Sequence, residues 1–210
     1  MRSAVWLLMA ACSLVCVAAV PLARAGVSGR GFTAEEEARL QAGELVQRRQ
    51  TRRQGEMHLL GGSSWQVIDA TPEVVWAALL DTQYYPRMMP QVLEARLVES
   101  RDSQRTVYMR QGRAGLMERA YYLKVNLDAD RKDISFAIDE RRPHDLRAAW
   151  GFYTVRPYDG GRTLLAYGIM ADLGDGLLLG LVRDEVHDWM LRTPWMVKRF
   201  VENTGRHLYR

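Results

Sequence analysis

The chain has 210 residues, with 29 Lys and Arg against 25 Asp and Glu, and a formal net charge of +4. A positive charge this small, scattered along the chain, gives no argument for a nucleic-acid partner. Both cysteines, Cys12 and Cys16, lie near the N-terminus, so the rest of the chain has no disulfide, thiolate metal ligand or cysteine nucleophile.

The N-terminal segment has the pattern of a secretory signal peptide. Arg2 precedes an uncharged apolar stretch, residues 3–22, and residues 23–25 then read Ala-Arg-Ala, an A-x-A cleavage pattern. We therefore predict a signal peptide over residues 1–25 that is removed after its last residue, and an exported protein, periplasmic or secreted. The alternative is an N-terminal membrane anchor, but the apolar stretch is at the short end of what a spanning helix needs.

Residues 26–62 are predicted to form an N-terminal extension packed on the domain that follows. Thr33 and Glu36 have the spacing of a capping box, which favours a short helix over residues 34–42. Residues 44–49 have the character of an extra edge strand. Four arginines in and after this segment are expected to form a solvated charge cluster rather than a specific anion site: Arg48, Arg49, Arg52 and Arg53.

The domain proper, residues 63–210, is predicted to begin with a strand followed by two short helices. Thr71 is a favourable N-cap, and apolar residues then recur at helical spacing until about Asp81. The second helix is a short aromatic and apolar turn bracketed by two prolines, Pro86 and Pro90.

The middle of the chain has the two-residue period of β-strands. The clearest example places Tyr121, Leu123 and Val125 on one face, with polar residues between them. Short turn sequences separate the strands, and Asp159-Gly160-Gly161 is a strong hairpin signal, so an antiparallel meander is predicted. The predicted strands cover residues 91–99, 105–111, 117–128, 134–138, 148–157 and 162–171.

The C-terminal tail, residues 177–208, has the apolar stripe of a long helix. Pro194 lacks a backbone donor and clashes with the preceding turn, so a kink or break is predicted near Arg192.

Three motifs resemble those of the START and polyketide-cyclase-like superfamily. The opening one is Val75-Trp76-x-x-Leu79-x-Asp81 followed by Tyr85-Pro86-x-x-x-Pro90.

Residues 118–123 resemble the START signature of a central strand, with Arg119 at the arginine position and Ala120 in place of the usual acid. Residues 153–167 resemble the last hairpin of the coenzyme Q-binding START-like proteins. The resemblance implies an α+β helix-grip fold: a curved antiparallel sheet of about seven strands around a long C-terminal helix, with two short helices after the first strand.

The resemblance also implies a function: an exported binding or transport protein for a lipid or isoprenoid held between sheet and last helix. A strongly curved sheet around one helix leaves a gap, typically a pocket of about 300 to 1,000 Å³. Transient contact with a membrane is a further expectation. The residues predicted to contact the ligand are Trp76, Met88, Met89, Tyr108, Tyr121, Leu123, Val125, Phe136, Ile138, Tyr153, Tyr167, Trp189, Val197 and Phe200.

Two other functions stay open. An aromatase- or cyclase-like enzyme of the same fold would need polar pocket residues, and the candidates are Tyr108, Arg110, Glu118 and Arg119. An arginine beside a carboxylate is, however, also the ordinary composition of a structural ion pair. The second alternative is a protein-interaction module whose groove takes a segment of another protein.

The histidines do not indicate a metal site. His58, His144, His187 and His207 are far apart and none has metal-ligand spacing, and His187 is expected on the surface of the last helix. The sequence also has no phosphate-binding loop and no dinucleotide fingerprint. No metal and no cofactor is predicted.

Overall fold

The framework of the molecule is one antiparallel sheet of eight strands, seen in a computed structural model that describes residues 31–113, 116–174 and 177–209. The spatial order is β1-β2-β8-β7-β6-β5-β4-β3, which confirms the predicted fold class with one strand more than expected. The predicted signal peptide lies outside the described residues. The strands are β1 (Val46–Gln54), β2 (Met57–Ile68), β3 (Val92–Arg101), β4 (Gln104–Arg113), β5 (Leu116–Asp128), β6 (Asp133–Ile138), β7 (Ala148–Tyr158) and β8 (Arg162–Asp172).

The helices follow the predicted order. They are α1 (Ala34–Gln41), α2 (Pro72–Leu80), α3 (Tyr85–Met88), α4 (Leu177–Leu191), α5 (Thr193–Phe200) and α6 (Arg206–Leu208). The predicted break is present, because α4 ends and α5 begins on either side of Arg192, with Pro194 in the first turn of α5. In the part of the chain that the structure describes, no helix is both long and apolar enough to cross a membrane.

The N-terminal extension is joined to the outer face of the sheet. The capping box of α1 is formed in both directions: Glu36 N–H donates to Thr33 Oγ1 at 3.2 Å, and Thr33 N–H donates to Glu36 Oε2 at 2.9 Å. The same carboxylate accepts two hydrogen bonds from Arg48 of β1, at 2.8 and 2.5 Å. Beneath this ion pair, Leu40, Val46 and Val67 form a small second core.

The predicted boundary between residues 62 and 63 falls inside strand β2. This strand pairs with β1 over the whole length of β1 and with β8 from Leu60 to Ile68. The extension and the domain therefore share one sheet. A Cβ on Gly61 would lie 1.8 Å from the Ile169 carbonyl oxygen, and one on Gly62 would lie 2.1 Å from the Arg48 carbonyl oxygen. Only glycine fits where these three strands approach so closely. Because glycine has no side chain, the alternation of apolar and polar residues is not visible in this part of β2.

The main core lies between the concave face of the sheet and helices α2, α4 and α5. Its fully buried members include Ile68, Val75, Leu165 and Val197. His187 also lies on the sheet-facing side of α4, where its Nε2 contacts the Gly61 carbonyl oxygen. The prediction of a surface position for His187 was wrong, because the ring packs against a strand segment that has no side chain to exclude it.

Candidate functional site

A cavity of about 120 Å³ separates the middle of the sheet from helices α4 and α5. Strands β4 to β8 supply its walls, while Trp189 and Met190 of α4 and Thr193 of α5 close it from the helix side. The volume is below the expected range of pockets in this fold. Since a cavity of about 150 Å³ in another protein accepts benzene, this one has space for roughly one ring or a short chain segment.

The strand period explains how the cavity is lined. Tyr121, Leu123 and Val125 alternate along β5 and all face the cavity. On the neighbouring strand, Phe136 lies directly opposite Val125 in the antiparallel register. Side chains of every second residue therefore meet on the concave face, as the alternation predicts.

Three aromatic rings form the floor of the cavity. The ring centroids of Tyr153 and Tyr167 are 4.8 Å apart, and those of Phe136 and Tyr153 are 5.8 Å apart. Gly151 lies opposite Phe136 on β7, and a Cβ there would come within 2.5 Å of the Phe136 ring. Glycine at this position leaves room for the Phe136 ring, which forms part of the aromatic floor.

The tyrosines of the cavity are uncharged at physiological pH. Burial raises the pKa of Tyr85 to about 12, and burial likewise raises the pKa of Tyr121, Tyr153 and Tyr167. The Tyr85 hydroxyl already has an acceptor within the protein, because it donates to the Leu79 carbonyl at 2.6 Å. These side chains therefore offer hydrogen bonds and ring surface but no charge.

One end of the cavity is polar. Gln91, immediately before β3, and Gln111, near the end of β4, both line it. The Gln91 Oε1 atom is buried and accepts no hydrogen bond from the described residues. Gln111 lies opposite Arg119 of β5, which is half-buried and donates to the Glu118 carbonyl at 3.0 Å.

The structure brings together eight of the fourteen residues that were predicted to contact ligand: Met89, Tyr121, Leu123, Val125, Phe136, Tyr153, Tyr167 and Trp189. Five others pack in the main core away from the cavity: Trp76, Met88, Ile138, Val197 and Phe200. A contact between any of these residues and a ligand stays a prediction.

The position of Tyr108 does not agree with the prediction that it lines the pocket. Its neighbours Val107 and Met109 face the cavity, so Tyr108 lies on the outer face of the sheet. There its ring is 5.2 Å from that of Tyr122, and the Arg96 guanidinium lies 4.7 Å from the ring centroid.

Other lining residues were not among the predicted ones. Val107, Met109 and Ile134 obey the same alternation and were available to sequence reasoning. Gln91, Leu146 and Leu173 lie outside the regular strands, where no period indicates which way a side chain points.

The polar candidates for catalysis do not converge on the cavity. Arg110 lies on the outer face and bridges Glu118 at 2.8 Å and Glu94 at 3.5 Å. Together with Tyr108 these residues belong to the outer surface, whereas only Arg119 lies on the concave side. Among the described residues, no three His, Cys, Asp or Glu side chains are grouped as metal ligands.

The sheet, the helices against its concave face and the apolar cavity between them define a helix-grip protein of the START-like class. A family model described as polyketide cyclase/dehydrase and lipid transport matches residues 68–195. Because that match spans more than half of the chain, the protein belongs to this family. No curated protein matches the chain in sequence.

Solved structures share this fold at low sequence identity. A Thermus thermophilus protein superposes with a TM-score of 0.60 at 16% identity, covering 70% of this chain and 98% of its own. The Zhui aromatase/cyclase from a Streptomyces species gives 0.59 at 16% identity, covering 73% and 97%. A STAR-related lipid transfer protein from Xanthomonas axonopodis gives 0.57 at 15% identity, covering 74% and 99%.

Proposed function

We propose that this protein binds a hydrophobic small molecule, a lipid or isoprenoid, in the cavity between its sheet and helices α4 and α5. The observation that carries the proposal is the composition of the cavity wall. Within the described part of the chain, aliphatic, aromatic and methionine side chains line it, with two glutamines and a threonine, and no Asp, Glu, Lys, Arg or His. Such a wall favours apolar ligands over charged ones.

The size of the cavity is compatible with a larger ligand if its side chains move. Met89, which follows α3, and Met190 of α4 both line the space. Methionine side chains are unbranched and change rotamer readily, so they adapt to ligands of different shape. A ligand longer than one ring would displace them toward the ends of the cavity.

The composition of the wall also favours binding over catalysis. General acid–base chemistry needs a group whose pKa lies near the working pH. The ionisable groups lining the cavity are tyrosines whose pKa burial raises further from neutrality. The aromatase or cyclase alternative therefore lacks a suitable acid or base among the lining residues that the structure describes.

We further propose that the protein is exported, with release and uptake of its ligand at a membrane surface. The signal-peptide pattern in residues 1–25 supports export.

The binding proposal is tested by native mass spectrometry of protein purified from an exporting host, followed by organic extraction. We expect an adduct that disappears on extraction, and uptake of a fluorescent fatty-acid or prenyl probe by the extracted protein. Protein that carries no adduct and takes up neither probe would favour the interaction module. Recovery of a chemically altered ligand would favour the enzyme.

A further inference from the structure

The carboxamide of Gln91 is held at the polar end of the cavity by a fixed backbone. Val92 N–H donates to the Met89 carbonyl at 2.8 Å, and Gly112 N–H donates to the Gln91 carbonyl at 2.9 Å. These bonds fix Gln91 between α3 and β3, where its side chain reaches the cavity. The backbone position of Gln91 is therefore set by the fold, and no described residue donates a hydrogen bond to its amide oxygen.

The Oε1 atom of Gln91 is a buried acceptor for which the described residues supply no donor. Most buried polar atoms in folded proteins are hydrogen-bonded, and an unpaired acceptor on a residue that lines a cavity is available to a partner that is not protein. Gln111 lines the same end of the cavity and pairs with Val92, the residue after Gln91. Both carboxamides thus belong to the lining, whose other polar groups are Thr193 and the tyrosine hydroxyls.

We propose that Gln91, with Gln111 beside it, binds the hydroxyl group of the ligand, so that the cavity selects alcohols or phenols. The inference rests on the proposed function and specifies its ligand. A hydroxyl donates to Gln91 Oε1 and accepts from an amide N–H in return. A hydrocarbon would leave the oxygen unpaired, and a ketone or ester cannot donate to it.

A carboxylate fits this end of the cavity less well. It has no proton to donate to Oε1, and it would bring a negative charge against a wall without cationic residues among those described. Arg119 lies opposite Gln111 on the concave side of β5 but is not among the lining residues described. An anionic ligand that recruited Arg119 is the competing possibility, and the experiment includes it.

The experiment compares three probes with a single ring by calorimetry with the mature protein: 4-propylphenol, 4-propyltoluene and 4-propylbenzoate. The first two differ only by a hydroxyl in place of a methyl group. We expect the phenol to bind at least about tenfold more tightly than the toluene, because a site built for a hydroxyl rejects the analogue that lacks it. We expect the benzoate to bind more weakly than the phenol.

Gln91→Met keeps the length of the side chain and removes the amide. We expect this variant to bind the phenol and the toluene with affinities within about twofold of each other, since the acceptor that tells them apart is lost. Gln111→Met is the second variant and should reduce the preference in the same direction. Gln104→Met, at the exposed start of β4, is the matched control and should keep it.

The outcomes separate this inference from the binding proposal. Equal affinity for phenol and toluene in the parent, or an unchanged preference in a folded Gln91→Met variant, would overturn the hydroxyl site and leave a lipid carrier. Tightest binding of the benzoate, abolished by Arg119→Gln, would replace it with an anion site. If neither the ring probes nor the fatty-acid and prenyl probes bind, both proposals are wrong.

Discussion

At the scale of single residues, Val125 of β5 borders the cavity. It lies opposite Phe136 in the register of β5 and β6 and is only partly buried, because its side chain borders empty space. Val155 of β7 has the same side chain but is 1% exposed and lies in the main core, away from the cavity. Replacing each valine by the same larger side chain therefore tests whether it is surrounded by a cavity or by a filled core.

We predict that Val125→Trp folds with near-native melting and loses binding of a fluorescent fatty-acid or prenyl probe. The indole would occupy space that the ligand otherwise fills. Val155→Trp is the matched control, and overpacking should destabilise it by about 1 to 3 kcal/mol. Thermal melting and probe titration measure both effects. Equal destabilisation of the two variants, together with no probe binding by the parent, would indicate a packed interaction domain.

At the scale of elements, helix α1 is attached to the sheet through the buried Leu40 and through one carboxylate. Glu36 closes the capping box with Thr33 and forms the ion pair with Arg48 of β1. The hydrogen bonds from Arg48, then that from the Thr33 backbone, lower the pKa of Glu36 from 4.5 to about 2. The ionised form is thus favoured by folding, and its contribution is present above pH 4.5 and lost as the pH falls toward 2.

We predict that Glu36→Gln weakens the acid dependence of the melting temperature between about pH 5 and pH 2. The parent should lose stability through this range because it must protonate a carboxylate that the fold holds ionised. Glu37→Gln, on an exposed position of the same turn, is the control and should leave the parent profile unchanged. A Glu36→Gln variant with the parent's pH profile would show that the ion pair does not anchor α1.

At the scale of the whole molecule, no disulfide outside residues 1–25 supports the sheet and the cavity beside it. Residues 26–210 contain no cysteine, so burial on the concave face and the small outer core must stabilise the fold without disulfides. Packing and hydrogen bonding therefore supply the stability of these residues.

We predict that protein recovered from an exporting host begins at Gly26. Residues 23 and 25 are small, as a signal peptidase requires at its two subsites. Intact-mass measurement checks this, and Ala25→Leu should block processing. A mature mass that still includes residues 1–25 would support the membrane anchor instead.

The sequence by itself determined the order of elements and several of their boundaries. The alternation of β5 and β6, the turn at Gly160 and Gly161, and the break at Pro194 each follow from local rules of period and backbone geometry. These rules act within a few residues of the chain. The elements that these rules predict can therefore be identified without knowing which segments pack together.

Only the tertiary structure decided which side of each element meets the cavity and how large the cavity is. Alternation separates Tyr108 from Val107 but does not say which faces inward, since the outer face also carries aromatic rings, stacked with arginines. The burial of His187 depends on a glycine more than a hundred residues away, and the backbone position of Gln91 depends on a hydrogen bond from Gly112 of β4. Such contacts arise between segments that are distant in the chain, so no local period records them.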